Sequence, residues 1–392
     1  MPGKPGASTR SVHGGRSVDP DSRSIVTPLY SNSAYAYDDI ETWRAVALKH
    51  KPGHIYSRNT NPTTSMFEKR MAQLEGAESA ASFATGMAAI NTTLFALLSS
   101  GDRAVTVKDA YGATYLHFTE ILPRFAIACD VCETEDHEAL EASIAKGCAL
   151  VYLETPTNPT LKVLDISRLC NTAHKHGAIV VVDNTFATPI NQNPLALGAD
   201  LVIHSATKYI CGHSDVLGGV ICGSKKLVEK VFRHRELTGA SLDAFSASQL
   251  LRSLKTLGLR VMRQNDNALA IAKFLQKHDK VAQVYYPGLE TDKGYRIAKK
   301  QMSGFGGVLS FDLKGGFEAV CAFLPRLKYA YLAANLGQVE TIAGPPSTTS
   351  HVELTDEERR KAGINEGLIR YAAGIEDAED LIGDIQQALE AI

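Results

Sequence analysis

Charge of one sign is missing from this chain. Its 392 residues carry 41 basic and 43 acidic side chains, a net charge of −2, without the basic excess that holds a nucleic-acid backbone. Long hydrophobic runs are missing too. Ala178 to Val182 is typical of the longest, far short of the roughly 20 apolar residues that cross a bilayer. The opening MPGKPGASTRSVHGG lacks the apolar stretch of a secretory signal. The cysteines are odd in number, seven, which with no export signal favours a reducing cytoplasm. Cys129 and Cys132 form a CxxC, yet no second pair stands at zinc-finger spacing, and FAIACDVCET alternates like a strand. His174 and His176 cannot share a helical face and precede Gly177, where cationic side chains suit a helix C-terminus. No metal is expected.

What is present suits a large folded enzyme. Hydrophobic residues make up 44% and charged ones 21%, which argues against disorder and allows two or three domains. The first fifty or so residues are rich in Gly, Pro, Ser and Asp and read as an extended arm. From about residue 64 to 225, helical and apolar stretches alternate. TGMAAINTTLFALLS suits a buried helix, and ALVYLETP, AIVVVDNT, LVIHSATK and GGVICG suit strands. Ile166, Leu169, Cys170 and Ala173 repeat at i, i+3, i+4, i+7 after Asp165. Near-continuous apolar strands separated by helices imply parallel βαβ units covered on both faces. After Thr238 a helical stretch leads to GGVLSFDL, GLIRYAAG and a last helix with Leu381, Ile385, Ala388, Leu389 and Ile392 on one face. Thr355 and Glu358 form a capping box for a short exposed helix. The expected organisation is an arm over 1–55, an α/β domain over 56–250 and a smaller α+β domain over 251–392.

Ligands of parallel sheets sit at the strands' carboxyl ends. Those ends here read Asn158, then Asp183, then Ser205, Thr207 and Lys208. A lysine amine forms a Schiff base with a carbonyl, and a carboxylate holds a pyridinium nitrogen protonated, so the pair suits pyridoxal phosphate as an electron sink. Ser205, Thr207 and the Gly86 and Met87 amides at a helix start suit its phosphate. Taken singly, each has a plainer reading: a surface lysine, a helix-capping aspartate, a turn. No GxGxxG or GxxxxGK[ST] follows a strand, against a nucleotide-binding scaffold.

The segments YSRNTNPT (56–63), ATGMAAI (84–90), DAYGATY (109–115), LETPTNPT (153–160), VVDNTFATP (181–189) and HSATKY (204–209) carry a specific likeness. SLKTLGLR (253–260), SGFGGVLSF (303–311), NLGQVET (335–341) and GLIRYAAGIED (367–377) extend it. Together they resemble the Cys/Met-metabolism family of pyridoxal phosphate enzymes, from about Thr9 to the C-terminus. The resemblance implies a fold-type I transferase architecture, like that of aspartate aminotransferase: a large, mostly parallel sheet and a smaller α+β domain. It implies that Lys208 carries the cofactor and shuttles protons, and that Asp183 pairs with the pyridinium nitrogen. Asn158 would reach the phenolic oxygen. Gly86, Met87, Ser205 and Thr207 would hold the phosphate, joined by Tyr56 and Arg58 from a neighbouring subunit. Tyr111 would stack on the ring and protonate the leaving group, and Arg370 would grip the substrate α-carboxylate, with Asn335 nearby. A homo-oligomer follows, at least a dimer and by family likeness a tetramer of two catalytic dimers.

The reaction implied is γ-elimination on a sulfur-containing amino acid of the methionine or cystathionine class. The products are 2-oxobutanoate, ammonia and a thiol. The alternative is γ-replacement, as in cystathionine γ-synthase or an O-acyl-homoserine sulfhydrylase, with β-elimination third. Four positions depart from the family's usual residues: Thr85 for Ser, Ala113 for the Cys of many methionine γ-lyases, Asn335 for Ser, and Ala372 for a hydroxyl residue. Arg235-Glu236 resembles the Lys-Asp pair those lyases show.

Overall fold

The computed structural model describes residues 5–14, 23–349, 352, 357, 359 and 363–392. The Thr355–Glu358 capping box lies outside the described residues. Among those described, seven strands form the larger sheet: β1 (Ser79–Phe83), β2 (Arg103–Val107), β3 (Ala128–Cys132), β4 (Leu150–Glu154), β5 (Ile179–Asp183), β6 (Leu201–Ser205) and β7 (Gly219–Gly223). Their order is β1-β7-β6-β5-β4-β2-β3. Alternation decides which layer each side chain joins. Val105, Val151, Leu153, Val180 and Val182 pack against the helices His137–Ala145 and Ile166–Lys175. Leu150, Tyr152, Val181, Leu201 and Ile203 face the opposite layer, with the helices Gly86–Leu97 and Lys225–Thr238.

The helix starts follow local chemistry. Thr85 accepts from the Ala88 N–H at 3.0 Å and opens Gly86–Leu97. Asp165 does the same for the Arg168 N–H at 3.0 Å. Gly177, at φ +75°, follows the second helix's C-cap in the left-handed conformation that favours glycine.

One strand departs from the parallel reading. β7 runs antiparallel to both β6 and β1. A parallel return needs a crossover of a dozen or more residues, usually a helix. The segment between β6 and β7 is instead spent on turns around Lys208, so the chain reverses and β7 fills the gap beside β1.

The second sheet has the order β10-β11-β12-β9-β8. Its strands are β8 (Val281–Tyr285), β9 (Val308–Leu313), β10 (Tyr331–Leu332), β11 (Ile342–Gly344) and β12 (Leu368–Ala372). It packs on the helices Leu257–Leu275 and Ala378–Glu390; Leu381, Ile385, Ala388 and Leu389 of the latter are buried as the periodicity predicts, while Ile392 falls beyond the helix end and is only partly buried against the same core. Phe311 and Phe323 meet edge to face there, centroids 5.9 Å apart. Phe311→Ala is expected to cost about 3–5 kcal/mol, read as a fall in the urea midpoint with the slope unchanged.

The arm is not featureless. It holds two short helices, Ala7–His13 and Ile40–Ala47, that its composition does not announce. The first is fixed by tertiary contacts: Arg10 donates to the Leu74 carbonyl at 2.9 Å, and Ser8 lies against Gly258. Cys129 and Cys132 sit on β3 as a strand pair; burial pushes the Cys129 thiol up to about 11. Among the described residues no helix is long and apolar enough to cross a membrane.

Candidate active site

The carboxyl ends of β1, β2, β4, β5 and β6 open onto one cleft, a cavity of about 320 Å³. Gly86, Met87, Tyr111, Asn158, Asp183, Ser205, Thr207, Lys208 and Arg370 all line it. Residues scattered over more than 280 positions of sequence therefore meet at one point. Arg370 arrives from the second sheet, at the centre of β12, in register with Ser310 on β9 and Gly344 on β11.

Lys208 stands in the turn after β6. Burial, reinforced by the Arg370 charge, pulls its amine down to about 8. Its Nζ donates to Asn335 Oδ1 at 2.6 Å. Asn335 thus reaches the site through Lys208, while its main-chain carbonyl accepts from Arg370 at 3.2 Å. The second fork of Arg370 donates to Asn158 Oδ1 at 3.0 Å. Asn335 is brought close because Gly337 at φ +81° lets the loop lie on the Lys208 turn; a Cβ there would stand 2.7 Å from the Tyr209 nitrogen. Competitive acetylation of the cofactor-free protein should therefore show Lys208 reactivity rising to half its maximum near pH 8. Exposed lysines should do so near ~10.4; a Lys208 midpoint with the surface set would contradict this environment.

Asp183 ends β5 and is buried. Thr185 donates to its Oδ1 through both N–H (3.0 Å) and hydroxyl (2.5 Å), and the Tyr152 hydroxyl donates to Oδ2 at 3.1 Å. Burial holds this carboxyl above the usual range, partly countered by those bonds. A cation placed beside it would be strongly favoured. Close by, His204 Nε2 and Glu75 Oε1 lie 2.6 Å apart in a buried pair.

The opposite end of the cleft is a cradle. Gly86 opens a helix against Ser205, and a Cβ at position 86 would stand 2.7 Å from the Ser205 Cβ. The N–H groups of that helix start, with the Ser205 and Thr207 hydroxyls, are donors suited to an anion. The chemistry fits pyridoxal phosphate: anion donors at one end, a buried carboxylate at the other, an amine of lowered basicity between. Gly86→Ala should fill the cradle and weaken pyridoxal phosphate binding about tenfold or more, roughly one charge-assisted hydrogen bond; an absorbance titration of the cofactor-free protein measures it.

Some residues lie elsewhere. Tyr56 and Arg58 line a separate surface cleft with Ser241 and Phe245. Arg58 donates to the Glu236 carbonyl at 2.5 Å, its guanidinium 5.5 Å from the Tyr56 ring centre. Arg235 is buried away from the site, tied to Glu68, the Ser82 carbonyl and the Asn59 carbonyl. Glu154 and Thr185 are among the lining residues that escaped the sequence reading. Glu154 ends β4 in register with Asp183, so the strand-end rule that found Asp183 reached it as well. Thr185 stands two residues after an aspartate, the spacing of a side-chain-to-backbone turn.

The profile described as Cys/Met metabolism PLP-dependent enzyme matches residues 8–390. An L-methionine gamma-lyase of Fusobacterium nucleatum subsp. polymorphum is 42% identical over 393 residues, covering 99% of both chains. A cystathionine gamma-lyase of Bacillus subtilis is 42% identical, covering 98% of this chain and 99% of the other. The crystal structure of cystathionine gamma synthase from Xanthomonas oryzae pv. oryzae in complex with cystathionine superposes with a TM-score of 0.94 at 38% identity, covering 99% of each. Lyases and a synthase are thus about equally similar.

Proposed function

The chain belongs to the Cys/Met-metabolism family of PLP-dependent enzymes, and from that premise we propose that it is a γ-elimination lyase. Its substrate would be a sulfur-containing amino acid of the methionine or cystathionine class, released as 2-oxobutanoate, ammonia and a thiol. When bound, pyridoxal phosphate supplies an electron sink for carbanion chemistry.

The residues around it take defined tasks. Asp183 would hold the ring nitrogen protonated, and Gly86, Met87, Ser205 and Thr207 the phosphate. Lys208, an amine near neutrality when buried, would anchor the cofactor covalently and carry protons. Tyr111, 44% exposed at the cleft mouth, would cover the ring and protonate the departing group. Arg370 would receive the α-carboxylate.

One observation carries the choice of substrate. Once Lys208, Arg370, Asp183 and Glu154 are assigned, much of the remaining lining is apolar, with Phe186, Leu217, Ala334 and Leu336. That surface suits a short neutral γ-substituent such as a methylthio group. The competing reading, γ-replacement, draws on the likeness to the synthase structure. Incubation with methionine, cystathionine, homocysteine and O-acyl-homoserines, with and without cysteine or sulfide, separates them. Formation of 2-oxobutanoate from methionine alone is expected; its appearance only with an acyl-homoserine would assign the synthase.

Tyr56 and Arg58, set apart from their own chain's cleft, would complete the site of a neighbouring subunit. Mixing inactive Lys208→Ala and Arg58→Ala proteins after dissociation should then restore activity, to about a quarter of wild type for random pairing. No recovery in mixed oligomers would place Arg58 outside the site.

A further inference from the structure

Tyr111 is half exposed at the cleft mouth, so packing holds only part of its ring and the turn beneath must fix the rest. Two residues before it stands Asp109, whose side chain is 1% exposed. Its Oδ2 accepts from Lys162 Nζ at 3.0 Å and from the Thr134 hydroxyl. Those donors come from two different loops, and sheet order explains why one carboxylate reaches both. β2 lies between β4 and β3. Val107 and Cys132, the last residues of β2 and β3, are partners in register. Asp109 and Thr134 therefore each stand two residues beyond the same level. Lys162 returns from the other side of β2, in the loop after β4.

That loop is itself closed. The Lys162 N–H donates to the Thr157 hydroxyl at 3.1 Å, and the Thr157 N–H to the Lys162 carbonyl at 3.0 Å. Leu161 sits inside it at φ +58°, a left-handed conformation that a leucine keeps only where its surroundings enforce it. Asn158, next to Thr157, accepts from Arg370 at 3.0 Å. Asp109 thus joins the turn of Tyr111 to the loop that orients Arg370. A second ion pair, Lys108 with Glu133 at 2.6 Å, also spans the loops after β2 and β3. Glu133 is 64% exposed, however, and water screens that pair.

We propose that Asp109 and Lys162 are positioning residues: their ion pair, with Thr134 as a second donor, sets where Tyr111 stands relative to Asn158 and Arg370. This rests on the reading that Tyr111 protonates the departing group while Arg370 receives the α-carboxylate. The clamp then decides the separation at which the two ends of one substrate are held. Both residues act from behind the cleft lining, through the loops they join.

Hydrogen–deuterium exchange of the cofactor-free protein tests the clamp without relying on turnover. Tyr115 donates its N–H within the Tyr111 turn, and Thr157 and Leu161 donate theirs within the loop after β4. In Lys162→Met these three amides should exchange about tenfold faster, the scale of one lost hydrogen bond. Amides of the helix Ile166–Lys175 should not change. Kinetics separate positioning from support of the fold. Lys162→Met should lower kcat about tenfold or more, and Lys162→Arg, which keeps a charged donor, should recover most of it. In a Tyr111→Phe background Lys162→Met should cost little more, since both losses act through one hydroxyl. Unchanged exchange at both loops, or kcat losses that simply multiply, overturns the proposal. Should Lys162→Met not fold because a buried carboxylate is left unpaired, Asp109→Asn combined with Lys162→Met removes both charges and faces the same readouts. Tyr111→Phe with kcat unchanged overturns the task given to Tyr111, and the exchange pattern alone then decides the clamp.

Discussion

Lys208→Ala should abolish turnover, by roughly a thousandfold or more, and leave no cofactor attached after borohydride reduction and denaturation. Two roles are lost together, since the same amine would fix the cofactor and move protons. Its environment explains why this lysine and no surface one can serve. Burial and Arg370 bring it to about 8, so a substantial neutral fraction exists near physiological pH. The cofactor-free variant should fold at least as well as wild type at neutral pH. A folded-state value below the ordinary ~10.4 means that burying the charged amine costs stability. That cost is full below about pH 8 and gone above about 10.4, so stability rises with pH between them. Removing the amine relieves the cost where it is present, set against loss of the Asn335 bond. Retained turnover would move the chemistry to another residue; retained attachment would identify another lysine.

Arg370→Ala should act on substrate rather than cofactor. Truncating one partner of a buried charged pair costs about 2–5 kcal/mol, so KM should rise about 30-fold or more. The guanidinium is already oriented by Asn158 Oδ1 and the Asn335 carbonyl, and burial pulls it down to about 10, still charged at neutral pH. Arg370→Lys should recover only part of the loss, because an ammonium offers no planar fork. Kinetics that separate KM from kcat decide this. An unchanged KM in Arg370→Ala would place the carboxylate elsewhere.

Much of the site is legible because chemistry and topology coincide at strand ends. Asp183 and Lys208 stand out as ionisable residues closing apolar runs, and Gly86 and Met87 as a helix start. Glu154 closes an apolar run in the same way, but its Thr-Pro neighbours mark a turn, and nothing local says that its carboxyl turns inward. Asn335 shows the limit of position alone. Its segment predicts proximity to the substrate, whereas its amide oxygen is taken by Lys208. Arg235 resembles a site residue in its local context yet donates to Glu68 and to the Ser82 and Asn59 carbonyls, away from the cleft.

By itself the sequence determined the alternation of strands and helices over 64–225, the apolar face of the last helix, and the residues with chemistry at strand ends. Those signals are local, set by periodicity, caps and turn residues within a few positions. Tertiary structure alone decided the rest. The reversal of β7 follows from the absence of a crossover, and the arm's first helix from partners some 60 and 250 positions away. The lowered basicity of Lys208 and the raised carboxyls of Asp183 and Glu154 come from burial. Desolvation and mutual charge act through space, and only the fold sets those distances.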